Sequence, residues 1–177
     1  MCKFMKSTLL DETGKSKSAG LIPQQLAGKY LTFLLHNESF GLEVLKVREI
    51  IRHTHFTPIP QMPAHIRGVI NLRGKIIPVV DLRLRFGFPP ASDTESTCII
   101  VVHTKAAYDT YKAMGLIVDG VEDVVNIVAE DIEERPEFGQ AVAMDYVLGM
   151  AKIKGKVKTL LNIDTVIPRT RPLQPES

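Results

Sequence analysis

Three histidines, His53, His55 and His65, come nearest in type and spacing to a metal site. His53 and His55 share one face of a strand at i, i+2, and His65 follows within a loop that can fold back toward them. Zinc needs three or four convergent ligands, and no further ligand is spaced on a helix nearby. A polar face on an exposed strand is the better reading, so neither a metal nor another cofactor is expected. The acidic residues Glu130, Asp131, Glu133 and Glu134 have the chemistry of an acid–base pair but are crowded into one polar segment beside Pro136. That pattern reads as a solvated loop. The chain has no GxSxG elbow, Walker loop or dinucleotide fingerprint, and Cys98 sits inside CIIVV, where apolar surroundings hold a thiol neutral. No catalytic constellation emerges, and an enzyme is not expected.

Arg67, Arg73, Lys75, Arg83 and Arg85 form the one dense basic neighbourhood, which a small barrel could turn toward nucleic acid. The residues between them are aliphatic, and Phe86 and Phe88 supply too little aromatic surface for stacked bases. Lys and Arg number 22 against 20 Asp and Glu, so no overall basic field draws the 177-residue chain to a polyanion. The neighbourhood reads as a solvated hairpin tip and helix flank. A small-barrel nucleic-acid binder is kept as the alternative from a different class.

These side chains must be held by elements, and the elements are written twice. RGVINLRGKIIPVVDLRLRFG, residues 67–87, sets aliphatic runs on either side of Arg73-Gly74, and LGMAKIKGKVKTLLNIDTVI, residues 148–167, does the same around Lys154-Gly155. Both fit two strands joined by a glycine turn. Gly68 and Gly149, Gly74 and Gly155, Val80 and Leu161, and Leu82 and Ile163 are each 81 apart (149 minus 68). Upstream, FGLEVLKVREII from Phe40 matches MGLIVDGVEDVV from Met114 at an offset of 74 (115 minus 41). The second copy therefore carries seven more residues between its blocks (81 minus 74), around Glu130 to Ala143. Self-similarity in fixed order marks a duplicated structural unit.

Short β-branched runs such as YLTFLL, KIIPVVDL and CIIVV, punctuated by Gly and Pro, predict an all-β chain of small barrels. A short helix is expected at LRLRFGF, with Asp81 as N-cap and Gly87 as stop, and another within Ala129 to Met144, limited by Pro136. Pro78 removes a ladder hydrogen bond, so it requires an edge or bulge position. Residues 1–28 and 168–177 read as flexible tails around a domain at 29–167, whose two barrels are expected at about 30–92, with chain crossover, and about 97–167. MCKFMKSTLL is interrupted by Asp11 and Glu12 before an apolar region of secretory type develops, and no window approaches the roughly 18 apolar residues of a membrane span. With only Cys2 and Cys98, no disulfide framework is present, and a soluble, cytoplasmic setting is expected.

GVINLRGKIIPVVDLRLRFG, preceded by FGLEVLKVREII and followed by VDGVEDVVNIVAEDI and PEF, resembles the CheW family, the coupling proteins of bacterial chemotaxis. The likeness runs from about Tyr30 to Ile167 and keeps the family's order and spacing. It implies two SH3-like β-barrels packed on a shared apolar core, without catalytic activity. It also implies two partners: the cytoplasmic helical hairpin tips of chemoreceptors, and the regulatory domain of the histidine kinase CheA. The setting implied is cytoplasmic, at membrane-associated receptor arrays, with no membrane insertion and no nucleic acid. Coupling in another chemosensory pathway, such as surface motility, is the alternative within the family. A receiver domain is not expected, because the sequence ends soon after the second barrel.

Carried over by motif, the resemblance implies a receptor-facing surface around the groove between the barrels, at Val44, Val47, Glu49 and Arg73, and a kinase contact at Phe138 in PEF. Val44 and Val47 are three apart, so on one regular strand they face opposite sides, and Val47 is the one expected in the groove. Arg73 offers a bidentate fork that Lys154, its counterpart, lacks. Gly68, Gly74 and Gly155 are expected to serve the backbone of the turns. The acidic run EDIEERPE before Phe138 departs from the family's usual pattern.

Overall fold

A computed structural model describes residues 22–52, 54–105, 111–133 and 146–166. The aliphatic runs become eleven strands among these residues: β1 (Gly28–Leu35), β2 (Glu38–Glu43), β3 (Val47–Arg52), β4 (Ile66–Leu72), β5 (Lys75–Asp81), β6 (Cys98–Lys105), β7 (Tyr111–Val118), β8 (Gly120–Ile127), β9 (Ile132–Glu133), β10 (Val147–Ile153) and β11 (Lys156–Leu161). They form two sheets, ordered β8-β1-β2-β11-β10-β9 and β3-β6-β7-β5-β4. The architecture is all-β, with two SH3-like subdomains and only short helices.

The two sheets are one arrangement written with exchanged strands. The repeat offsets make β2 the counterpart of β7, β3 of β8, β4 of β10 and β5 of β11, and β1 pairs with β2 as β6 pairs with β7. Replacing each strand of β8-β1-β2-β11-β10 by its counterpart gives β3-β6-β7-β5-β4, the other sheet. Even the parallel seam recurs, as β2 with β11 and β7 with β5. The sheets therefore do not divide at about 30–92 and 97–167, as the repeat alone suggests. A 3-10 turn at Val44–Lys46 carries the first copy from one sheet to the other, and a bend at Asp119 carries the second copy back.

Packing follows from side-chain alternation. On β6, Ile100 and Val102 enter a core shared with Phe33, Leu42 and Leu116, while Ile99 and Val101 turn into the barrel interior with Ile77 and Val79. A strand buried on both faces reads as a continuous apolar run, which is why CIIVV does not alternate. Leu26, Tyr30, Ile127 and Leu160 fill the interior of the other barrel. Leu26 stands on a helical turn at Pro23–Leu26, its side chain is buried, and its carbonyl accepts a 2.7 Å hydrogen bond from the Tyr30 hydroxyl. The flexible tail expected over 1–28 is thus corrected at its end: 23–28 belong to the fold because Leu26 completes that interior. Burial, with the charge of Glu43, pushes the Tyr30 hydroxyl up to about 12.

Arg73-Gly74 and Lys154-Gly155 take left-handed φ at both positions, 52° and 84° in the first and 49° and 77° in the second. This is the type I′ hairpin turn, whose twist matches the strands. Gly68 is not a turn residue. It lies in β4 at a register shift, and a Cβ there would stand 2.2 Å from the Thr57 carbonyl oxygen, so close backbone approach requires glycine. Pro78 is on an interior strand, yet it costs no ladder bond. Its partner Val69 turns its own N–H and C=O to Thr57, and β5 begins pairing with β7 only at Val79. The helix Leu82–Arg85 forms as expected, with the Asp81 carboxylate accepting from the Arg83 N–H and Gly87 left-handed at the end. In the acidic region a 3-10 turn covers Ala129–Asp131, while 134–145, with Phe138, lie outside the described residues.

Arg83 departs most from the sequence expectation, because it is buried and not a solvated flank. Its side chain is 2% exposed and reaches Asp81 at 2.9 Å, Asp93 at 2.9 Å and Asp119 at 3.0 Å. The hydrogen bond to Asp81 above all, opposed by burial, holds the guanidinium pKa above its ordinary value. Asp119 also accepts from the His36 N–H at 2.8 Å, which ties the β1–β2 turn to the second crossover.

Two outcomes are expected. Arg83→Leu removes the buried cation shared by Asp81, Asp93 and Asp119, leaves Asp81 with Arg67 alone, and destabilises the fold by about 3–5 kcal/mol in chemical denaturation. Chains severed within 92–96 give halves that show no cooperative unfolding separately and recover it when mixed, because each sheet requires strands from both; two independently folding halves would contradict the exchanged topology.

Candidate functional site

A groove of about 660 Å³ opens at the mouth of the barrel built by β3–β7. Buried Ile77 and Val80 line its depth, and exposed Ile59, Met62 and Ile76 stand at its edge. Ile76 is 74% exposed because the hairpin alternates: with Ile77 turned inward, its neighbour must face out. Arg48, Arg73, Lys75 and Lys112 contribute four cations to the lining and Glu49 one carboxylate.

Glu49 and Arg73 meet as a bidentate pair, Nη1 to Oε1 at 2.9 Å and Nη2 to Oε2 at 3.0 Å. Arg73 is 73% exposed against 20% for Glu49, so the fork stands in solvent and lies over a carboxylate held by β3. An exposed pair of this kind contributes at most about 1 kcal/mol to stability, which leaves its geometry available for recognition. Val44 and Val47 do not line this barrel-mouth groove. Both pack, partly buried, against the core between the sheets. The 3-10 turn at Val44–Lys46 and the register shift between Val47 and Glu49 break the regular strand on which their parity was reckoned.

The duplication supplies an internal comparison. Ile77, Ala113 and Arg48 of the groove correspond to Lys158, Ser39 and Glu122 of the other barrel, at offsets of 81, 74 and 74. There the three side chains bond to one another. Lys158 Nζ donates to Ser39 Oγ at 2.9 Å and Glu122 Oε2 at 3.1 Å, and the Ser39 hydroxyl donates to the same carboxylate. Lys158 is buried beneath this network. Where one barrel opens, its twin is spanned by an ion pair. Burial works against ionisation of Glu122, but the Ser39 hydroxyl and Lys158 outweigh it and hold the carboxyl below its usual range.

The basic neighbourhood is neutralised from within. Arg67 pairs with Asp81 at 3.0 Å and lies over Phe56, Arg83 is enclosed by three aspartates, and Arg85 donates to the Val166 carbonyl and the Tyr146 hydroxyl. What survives as accessible positive charge surrounds the groove. Burial pushes the Cys98 thiol up despite a backbone hydrogen bond with Val121, as expected of a neutral thiol. Among the described residues no three His, Cys, Asp or Glu side chains converge as a metal site, and His53 lies outside them. No helix among those residues is long and apolar enough to cross a membrane.

The family model of the CheW-like domain matches residues 29–171. The chain belongs to the CheW family. It is 36% identical over 152 residues to the chemotaxis protein CheW of Klebsiella aerogenes, covering 86% of this chain and 87% of that one. It is 33% identical to the chemotaxis protein CheW of Rhizobium meliloti, over 78% and 86% of the two chains. Protein FrzA of Myxococcus xanthus is 28% identical over 81% of this chain and 87% of its own. The crystal structure of the scaffolding protein TtCheW from Thermoanaerobacter tengcongensis superposes with a TM-score of 0.69 at 34% identity, covering 79% of this chain and 92% of that one. This CheW-family chain is a chemotaxis coupling adaptor.

The depressed Glu122 carboxyl makes a pH prediction for this CheW-family member. A group lowered in the folded state contributes stability above its unfolded value, 4.5 for glutamate, and loses it as pH falls through the lower folded value. Glu122→Gln is therefore less stable than the parent at neutral pH, and the difference narrows below pH 4.5 in denaturation series run across the acid limb.

Proposed function

We propose that this adaptor couples the cytoplasmic helical hairpin tip of a chemoreceptor, docked in the groove of the β3–β7 barrel, to the regulatory domain of the histidine kinase CheA. It acts without catalysis, by holding both partners in one geometry. The bidentate Glu49–Arg73 pair over an apolar trough is the observation that carries this reading. A helix laid in such a trough buries apolar anchors on Ile59, Met62 and Ile76 and meets charge at the rim. Since Glu49 is satisfied by Arg73, the cations Arg48, Lys75 and Lys112 favour a hairpin with acidic flanks. Val44 and Val47 serve the surface from behind, as packing that fixes where β3 enters.

The kinase contact is assigned to the second barrel's connection at Phe138, the residue that the PEF motif brings from the family. A receptor-driven shift in the groove changes which kinase arrangement is favoured, a redistribution between existing states. The functional unit is 29–167, and its place of action is the cytoplasmic face of receptor arrays.

Arg73→Glu tests the reading. It reverses the rim charge beside Glu49 and is expected to weaken binding of a receptor cytoplasmic fragment at least about tenfold, or about 1.4 kcal/mol, with kinase-domain binding and thermal stability retained. Val47→Asp, by contrast, is expected to lower stability, since it places a charge against the core. If Arg73→Glu binds the receptor fragment as the parent does, or if an RNA binds at micromolar concentration while neither protein partner does, the adaptor mechanism set out here is wrong.

A further inference from the structure

His103 stands apart from every other residue of the groove. It follows Ile99 and Val101 on the interior face of β6, so its ring closes the end of the barrel's apolar stack and faces the mouth. Its Nδ1 is buried and has no hydrogen-bond partner among the described residues. The other ring nitrogen in that condition, His65 Nε2, does not line the groove. Buried polar atoms in native folds are nearly always satisfied, and one left unpaired is costly. Leu34, the counterpart of His103 by the pairing of β1 and β6 beside the repeated glycines, shows that an aliphatic side chain is accepted at this place in the fold.

We infer that His103 is a specificity-determining residue of the groove, hydrogen-bonding through Nδ1 to an uncharged amide or hydroxyl on the buried face of the docked hairpin. This rests on the docking reading above and adds to it a polar requirement at the centre of the contact. The charged groups all stand elsewhere in the lining, on Arg48, Glu49, Arg73, Lys75 and Lys112, while the neighbours of His103 include Ala113 and Ile77. Pockets of this kind take affinity from apolar surface and orientation from a few placed polar groups. Nδ1 lies on the buried edge of the ring, and since the two-fold torsion of an imidazole exchanges its edges, the proposed contact includes a ring flip that turns Nδ1 to the groove side. An amide or hydroxyl both donates and accepts, so it matches Nδ1 whether that nitrogen carries a hydrogen or a lone pair. Hairpins that carry an alkyl group at the matching position leave the nitrogen unpaired in a closed site and are disfavoured.

Two substitutions separate this role from an internal one. Asparagine places its amide where Nδ1 stands, whereas leucine keeps bulk and removes the polar atom. His103→Leu is expected to bind the receptor fragment about tenfold more weakly by calorimetry, with kinase-domain binding unchanged and a melting temperature equal to or above the parent. His103→Asn is expected to stay within about threefold of the parent. Parent-like binding by His103→Leu, equal loss in both variants, or a lowered melting temperature for His103→Leu each overturns the assignment. Arg73→Glu run alongside keeps the two readings apart: if it too binds normally, or the parent does not bind, the groove itself is misassigned and His103 falls with it.

Discussion

The fold depends on fastening the two places where the chain crosses from one sheet to the other. At the second crossing, the carboxylate of Asp119 meets Arg83 from the helix after the β4–β5 hairpin and accepts from the His36 N–H. At the first, Lys46 meets Asp164 from the helix after the β10–β11 hairpin at 3.0 Å, and Asp164 accepts from the Lys105 N–H. Arg83 and Asp164 are counterparts at an offset of 81. Both junctions thus join a cation, a carboxylate and a backbone N–H, but the charges have changed places. An ion pair is indifferent to which side carries which sign, provided each buried charge is met. The Arg83 junction, enclosed by three aspartates, is the more deeply buried of the two.

The same logic separates the barrel mouths. Their backbones repeat one another down to the type I′ turns at Arg73-Gly74 and Lys154-Gly155. Their linings differ in polarity: one mouth presents Ile77, Ala113 and His103, and the other presents Lys158, Ser39 and Leu34. A lysine and a glutamate that bond each other span a hollow, whereas an isoleucine beside an alanine leaves one open. The two mouths differ in which of their hydrogen-bonding groups meet an internal partner.

Local features were legible in the sequence because local residues determine them. The hairpins follow from glycine turns between aliphatic runs, the helix at Leu82–Arg85 from its Asp81 cap, and the neutral thiol of Cys98 from its apolar neighbours. Strand partnership was not legible, because in a duplication each strand fits two equivalent neighbours and only the crossing points decide between them. The facing of Val44 and Val47 was not legible either: alternation predicts facing only along an unbroken strand, and a 3-10 turn and a register shift interrupt this one. The burial of Arg83 depends on Asp93 and Asp119, which are 10 and 36 residues away and carry no local mark. Of the candidate site, Glu49 and Arg73 came from the family motif. Ile76 could have been found by asking which of two adjacent isoleucines beside a turn must face outward.

The exchanged sheets have the symmetry of a swapped pair. Two identical five-stranded chains that each lent their first two strands to the other would form this assembly, as a swapped homodimer related by a two-fold axis. Residues 86–97, between the helix of the first copy and the opening strand of the second, are the covalent link that distinguishes this chain from such a homodimer. In a homodimer every substitution appears twice, so both mouths would be grooves or neither would. A single covalent chain is released from that symmetry, and a lysine can settle in one copy while its counterpart stays isoleucine.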